Sequence, residues 1–263
     1  MEYTWKEENV ATPTLQSGAV ILSSFPSAGL ATTVAGHYMI RALKLPRVGR
    51  FESPDIAPVA IVQGGEVHPT IRVYGRADLG LVLSEFPPTP TQANAIARTI
   101  LDGAQTRKAR RILCLEGIVP HPEEDEPGAK EAPEEASQVW AAFSRADPTL
   151  RKSFEGAGVR SLEDGVIGGV SGALLVQGIS REVPVVTLLV SARVAEGLPD
   201  HRAGAALIET LDRVLPELRI DTQPLRQQAE QIEKALRAAL KAHAAGGDEN
   251  APGLPAPATD MYR

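Results

Sequence analysis

The 263-residue sequence predicts an α/β fold, a single domain whose mostly parallel sheet is covered by helices on both faces. Two observations point there. Almost continuously apolar short runs recur at 18–25, 79–86, 111–116 and 183–190, as strands buried on both faces require. Between them lie longer segments whose apolar residues fall at helical spacing, at 30–43, 92–104, 202–215 and 224–243. Composition agrees: 43% hydrophobic and 23% charged residues are those of an ordinary globular chain, long enough to bury a core without disulfides or a structural metal.

Taken in order, residues 1–17 are polar and acidic at the start and are expected to form an N-terminal extension. Gly18 to Phe25 is the first strand, closed by a Pro26-Ser-Ala-Gly29 turn, and Leu30 to Leu43 a helix. Val48 to Phe51 is a short strand. Val59 to Val62 and Thr70 to Tyr74, with Gly64-Gly65 between, suggest a hairpin. Leu79 to Phe86 is a buried-type strand, stopped by Pro87-Pro88, and Gln92 to Ala104 a helix. Arg111 to Glu116 is the next strand. Ser137 to Arg145 suggests a short helix carrying Trp140 and Phe143, and Gly158 to Leu162 a strand. Gly165-Val-Ile-Gly168-Gly169-Val-Ser-Gly172 leads into a helix, Val183 to Val190 is the clearest later strand, and Asp200 caps the helix that follows. The last helix, 224–243, carries an apolar stripe that suits either its own domain or a subunit contact. The domain is thus expected over 18–244, with 245–263 a Gly/Pro/Ala linker and tail.

The formal net charge of −6 argues against nucleic acid as a partner. It is concentrated: Glu123 to Glu135 holds seven acids and one base, so residues 122–136 are expected to be a mobile acidic surface loop. No apolar stretch suits a membrane helix and the start lacks signal-peptide shape, so no membrane association and a cytoplasmic setting are expected. Cys114, the single cysteine, sits in an apolar strand and is expected to be an inert core residue.

Catalytic constellations are thin. There is no GxSxG elbow, HExxH, Walker loop or GxGxxG, and the five histidines (His37, His68, His121, His201, His243) have no ligand spacing. No catalytic residue, metal site or cofactor is expected. Two turns at helix N-termini, Phe25-Pro26-Ser27-Ala28-Gly29 and the one holding Gly168 and Gly169, could approach an anion with their backbone amides. Glycine there equally suits a tight strand-to-helix crossing. Asp164 beside the second turn could be an acid catalyst or a loop cap.

In sequence order, Ile21-Leu-Ser-Ser-Phe-Pro-Ser-Ala-Gly-Leu30, Glu52-Ser-Pro-Asp-Ile-Ala-Pro-Val59, the Pro69-x-Ile71-Arg72-Val-Tyr74 strand, Leu113-Cys-Leu-Glu-Gly117, Gly165 to Leu175, the Asp200-led helix and Gln228-Ala-Glu-Gln-Ile-Glu233 resemble the proteasome assembly chaperone family. The resemblance covers roughly Gly18 to Leu240. It implies a fold shaped like the nucleoside phosphorylases, a homo-oligomer without enzymatic activity, and the α-subunit ring of the core proteasome as partner. The chain ends Asp260-Met261-Tyr262-Arg263, which matches the hydrophobic-Tyr-X terminus with which activators and some assembly factors dock between α subunits. In such a dock the apolar side chain and phenol fill a narrow pocket and the terminal carboxylate pairs with a lysine. As a flexible coil, Ala245 to Asp260 separates its ends by roughly 20 to 25 Å, enough to reach a pocket from a seated body. The function expected is therefore a proteasome-binding assembly chaperone or ATP-independent activator. The alternative is a small-molecule enzyme of phosphorylase-like shape that holds an anionic ligand at the two glycine turns.

Overall fold

The apolar runs assemble into one twisted sheet because each, buried on both faces, needs a helix layer above and below it. In the computed structural model, residues 1–8, 15–119, 137–145, 147–194 and 198–244 are described. The strands are β1 (Thr4–Glu7), β2 (Val20–Ser24), β3 (Arg47–Glu52), β4 (Ile61–Gln63), β5 (Glu66–His68), β6 (Ile71–Arg76), β7 (Leu79–Ser84), β8 (Arg111–Ile118), β9 (Val139–Phe143), β10 (Arg160–Ser161) and β11 (Val185–Ser191). The helices are α1 (Ala31–Ala42), α2 (Pro90–Thr106), α3 (Pro148–Gly156), α4 (Gly169–Gly178), α5 (His201–Val214) and α6 (Gln223–Ala244).

Nine strands form the main sheet in the order β1-β3-β6-β7-β2-β8-β11-β9-β10. The centre, β7-β2-β8-β11, is parallel, and antiparallel pairs flank it. Side-chain alternation sorts the core into two layers. Leu22, Leu113, Leu115, Val186 and Leu188 face α1, α3, α5 and the start of α6, while Ile21, Ile112, Cys114 and Val185 face α2 and α4. The helices begin where the sequence provides caps. Thr89 and Gln92 form a reciprocal capping box ahead of α2. Asp147 accepts the amides of Thr149 and Leu150 ahead of α3, and Asp200 that of Ala203 in α5.

Four local expectations need correction. Residues 137–145 do not form a helix: Val139, Trp140, Ala141, Ala142 and Phe143 make β9, antiparallel to β11. The three-residue spacing of Trp140 and Phe143 suggests a helix, but Val139, Ala141 and Phe143 share the core face with period 2, and β-branched and aromatic residues suit a strand. The Gly64-Gly65 turn joins β4 to β5 in a separate two-stranded hairpin, whereas Ile71–Arg76 belongs to the main sheet between β3 and β7. The sheet also extends into residues 1–17, expected to lie outside the domain at 18–244: β1 pairs with β3, Thr4 opposite Glu52. Trp5 anchors it, 5.6 Å from the Phe51 ring and with the Arg107 guanidinium 4.3 Å over its face. Finally, α3 joins the fold without having been expected, its Phe154 buried and edge-on to Phe143. The start of α6 packs its Leu225 on its own domain. The acidic segment 122–136 and the tail 245–263, including Met261, Tyr262 and Arg263, lie outside the described residues, as do 9–14, 120, 121, 146 and 195–197.

Candidate functional site

In a sheet with a parallel centre the strands' carboxyl ends open a crevice that no helix fills. Here β2 leads into Phe25-Pro26, β7 into Pro87-Pro88, β8 ends at Ile118, and the glycine turn before α4 meets them. Together they enclose a cavity of about 290 Å³, lined by Phe25, Pro26, Pro87, Pro88, Glu116 and Val166 to Gly169, with Ile118, Val170 and Leu189 behind. The structure thus brings together Phe25, Pro26, Gly168 and Gly169, four of the six turn residues singled out in the sequence.

Ser27 and Gly29 do not join them, because their polar groups are used in holding the turn. The Ser27 hydroxyl accepts the Gly117 amide at 2.8 Å and lies 3.1 Å from the Thr32 hydroxyl. The Gly29 carbonyl accepts the Asp200 amide at 2.7 Å. Gly29 is also sterically required: its φ is +61°, and a Cβ there would sit 2.6 Å from the Arg193 carbonyl oxygen. One turn therefore fastens β2 to β8 and to the cap of α5. Gly168 is the N-cap of α4 and its carbonyl accepts the Gly172 amide at 2.9 Å.

Among the described residues, the ionisable side chain lining the cavity is Glu116, on the α4 side of β8. Its carboxyl accepts the Ser171 hydroxyl at 2.7 Å. Burial pushes it up to about 7, with the Ser171 hydrogen bond holding it partly down. Charge in the cavity is therefore negative, which opposes an anion at these turns. Sequence reasoning passed over Glu116, although a lone acid inside the apolar Leu113-Cys-Leu-Glu-Gly117 run was the available signal. Cys114, two residues earlier on the same face, is fully buried, and burial pushes its thiol up to about 12.

A second ionisable group was also missed. Arg72 on β6, wholly buried, reaches the Glu85 carboxylate just beyond β7, and His37 Nε2 on α1 lies 3.0 Å from the same carboxylate. Burial, with Arg72 and Arg41 nearby, lowers His37 to about 4, so the ring is neutral near pH 7. Other candidates do not converge. His68 Nδ1 is 2.6 Å from Arg47, His201 Nδ1 is 3.0 Å from the Pro199 carbonyl, and exposed Asp164 lies with Glu155, Arg160 and Glu163 in a separate open groove. His121 and the side chain of His243 lie outside the described residues. Among the described residues, no group of three or more His, Cys, Asp or Glu could hold a metal, and no helix is long and apolar enough to cross a membrane.

This architecture is that of a known class of α/β proteins. The fold superposes on PbaA of Pyrococcus furiosus, described as an archaeal homologue of proteasome-assembly chaperone, with a TM-score of 0.75 and 25% identity over 91% of this chain and 94% of that one. PbaB of the same organism, an archaeal proteasome activator, shares the fold with a TM-score of 0.71, 23% identity, and coverage of 90% and 98%. An uncharacterised Methanocaldococcus jannaschii protein, MJ0106, is 26% identical over 224 residues, 85% of this chain and 86% of that one. The model of the PAC2 family matches residues 21–240, and the chain belongs to that family.

Proposed function

We propose that this chain is a non-enzymatic proteasome-binding protein, an assembly chaperone or ATP-independent activator that docks on the α-subunit ring of the core proteasome. The observation that carries this reading is the fold shared with PbaA over nine-tenths of the chain, at 25% identity. The likeness in fold to PbaB keeps the activator role beside the chaperone one. Met261, Tyr262 and Arg263 supply the docking step in this reading, their apolar, phenolic and terminal groups fitting a narrow pocket between subunits. The working form is a homo-oligomer, whose several tails raise one another's effective concentration at the ring. Support for self-association comes from α4 and its C-cap: the helix is apolar on most sides, yet Val176 in it and Ile179 just after it are 68% and 61% exposed.

The test is binding of the full chain, of Tyr262→Ala and of a chain with one glycine appended after Arg263 to rings of the host's α subunits at fixed ionic strength. Losing a buried phenol at a hot spot is expected to weaken binding about 30- to 1000-fold per tail. The appended residue is expected to weaken it comparably by moving the carboxylate. Equal affinity of all three chains would remove the tail from the mechanism, and no binding of the full chain would remove the proteasome as partner.

A further inference from the structure

We propose that the cavity at the carboxyl ends of β2, β8 and β11 is a binding site for a primary ammonium group carried on a short apolar stem, with the Glu116 carboxylate as its counter-ion. The inference is independent of the proteasome reading and of the C-terminal tail.

Three features of the site select this chemistry. The walls are apolar and stiff: Phe25, Pro26, Pro87 and Pro88 on one side and Ile167 on the other leave about 290 Å³, room for a chain of four or five carbons. Proline rings have no rotamer freedom to lose when a ligand packs against them. Among the described residues the charge is single and negative, since none of the Lys, Arg or His among them lines the cavity. A carboxylate so placed attracts a cation more strongly than a surface acid does, because little water screens it. The third feature is orientation. Ser171, at the start of α4, donates to Glu116 Oε2 at 2.7 Å, which ties the carboxylate to α4 and leaves its other oxygen without a hydrogen bond among the described residues. Backbone supports the same position: the next residue, Gly117, is held by its amide on Ser27, and a Cβ there would collide with the Ala28 carbonyl oxygen. The rim carries Val166, 99% exposed, an aliphatic side chain in water beside the opening that gains cover when a stem enters.

Among the described residues, the groups facing Glu116 are few. Cys114 precedes it on β8, fully buried with its thiol pushed up to about 12, and Ser171 faces it from α4; neither changes charge between pH 5 and 9. An alkylammonium stays charged over the same range, so the site's pH dependence belongs to Glu116. Binding of the cation requires the ionised carboxylate and releases its proton. Affinity is thus low at pH 6 and about tenfold higher at pH 8, following the ionised fraction of a carboxyl that titrates near 7.

A free small amine and a lysine side chain offered by a partner share this chemistry, and two probes separate them. Calorimetric titration of the full chain with n-butylamine and with Nα-acetyl-lysine methylamide, at pH 6 and pH 8, reads both; n-butyrate, with the same stem and opposite charge, is the control. Binding of n-butylamine alone supports a small-molecule site, and binding of both amines supports a lysine receptor. Glu116→Gln, which keeps the shape and the acceptor for Ser171, is expected to lose at least tenfold at pH 8 and to lose the pH dependence. Ser171→Ala, which removes the hydrogen bond that favours the ionised carboxyl, is expected to move the binding midpoint to higher pH. The proposal is overturned if neither amine binds at millimolar concentration, if n-butyrate binds as well as n-butylamine, or if Glu116→Gln, folded by circular dichroism, binds like the parent.

Discussion

Replacing Glu116 by Gln should stabilise the protein progressively as pH rises from about 4.5 to 7, in full above neutrality, and do nothing below pH 4.5. The carboxyl moves from its ordinary 4.5 in the unfolded chain to about 7 in the native fold, because burial disfavours its charge. Between those values the native protein holds a proton that the unfolded chain has released. Stability therefore falls as pH rises through the window, by about 1.4 kcal/mol per unit, and the full displacement amounts to at most about 3 kcal/mol. Glutamine stays neutral throughout and keeps an acceptor for the Ser171 hydroxyl, so it escapes the whole of that loss. Urea unfolding of the parent and Glu116→Gln at pH 4.5, 6 and 8 reads the difference directly. The two chains should agree closely at pH 4.5 and diverge upward in favour of the variant at pH 8. A variant less stable than the parent at pH 8, or a difference that does not change with pH, would refute the placement of this carboxyl in an apolar crevice.

Two further expectations follow from the core. Arg72→Met removes the guanidinium that reaches the buried Glu85 carboxylate and should cost about 3 to 5 kcal/mol in urea unfolding, while Arg72→Met with Glu85→Gln recovers most of it because no uncompensated charge remains. Gly103→Ala places a Cβ inside contact distance of the Trp5 ring and should cost about 1 to 3 kcal/mol with a shifted tryptophan emission, and the same change in a Trp5→Ala chain should be nearly neutral.

How far the sequence reached depends on whether a signal is local. Asp200 announces a helix start because a cap needs only its neighbours in the chain, and it acts as expected; the Thr89-Gln92 capping box obeys the same local rule but was passed over. The parallel centre was legible because β2, β7, β8 and β11 are apolar on both faces. β9 was not, since Ala141 and Ala142 fit either period and only pairing with β11 decides between them. The candidate site divides in the same way. Phe25-Pro26 and Gly168-Gly169 are recognisable turns, but that they face one cavity follows from the crossover of α4, which no local pattern encodes. Nor does sequence show where Ser27 and Gly29 direct their polar groups, since Gly117 and Asp200 are distant in the chain. Arg72 and Glu116 are charges set among apolar strand residues, and each finds its partner, Glu85 or Ser171, only through tertiary packing.

The displaced titrations of His37 and Glu116 lie in opposite helix layers and act against each other. His37 on α1 is lowered from 6.5 to about 4, so between those values the unfolded chain holds a proton that the native fold has shed. Its contribution is complete above pH 6.5 and is lost as pH falls toward 4, again by at most about 3 kcal/mol. From pH 4.5 to 6.5 this slope and that of Glu116 overlap with opposite sign, and their sum in the parent is close to zero. Removing either partner should expose the other. His37→Gln should make stability fall with rising pH relative to the parent, and Glu116→Gln should make it rise, each by about 1.4 kcal/mol per pH unit. The double variant should run parallel to the parent, because the residues lie in opposite helix layers and their effects should add. His201 and Glu209, both lowered in the native fold, titrate identically in all four chains and drop out of the differences. Four urea series across pH 4.5 to 6.5 suffice. Single variants that track the parent would mean that neither group is desolvated as the packing requires, and single variants that tilt the same way would mean that one of the two assignments has the wrong sign.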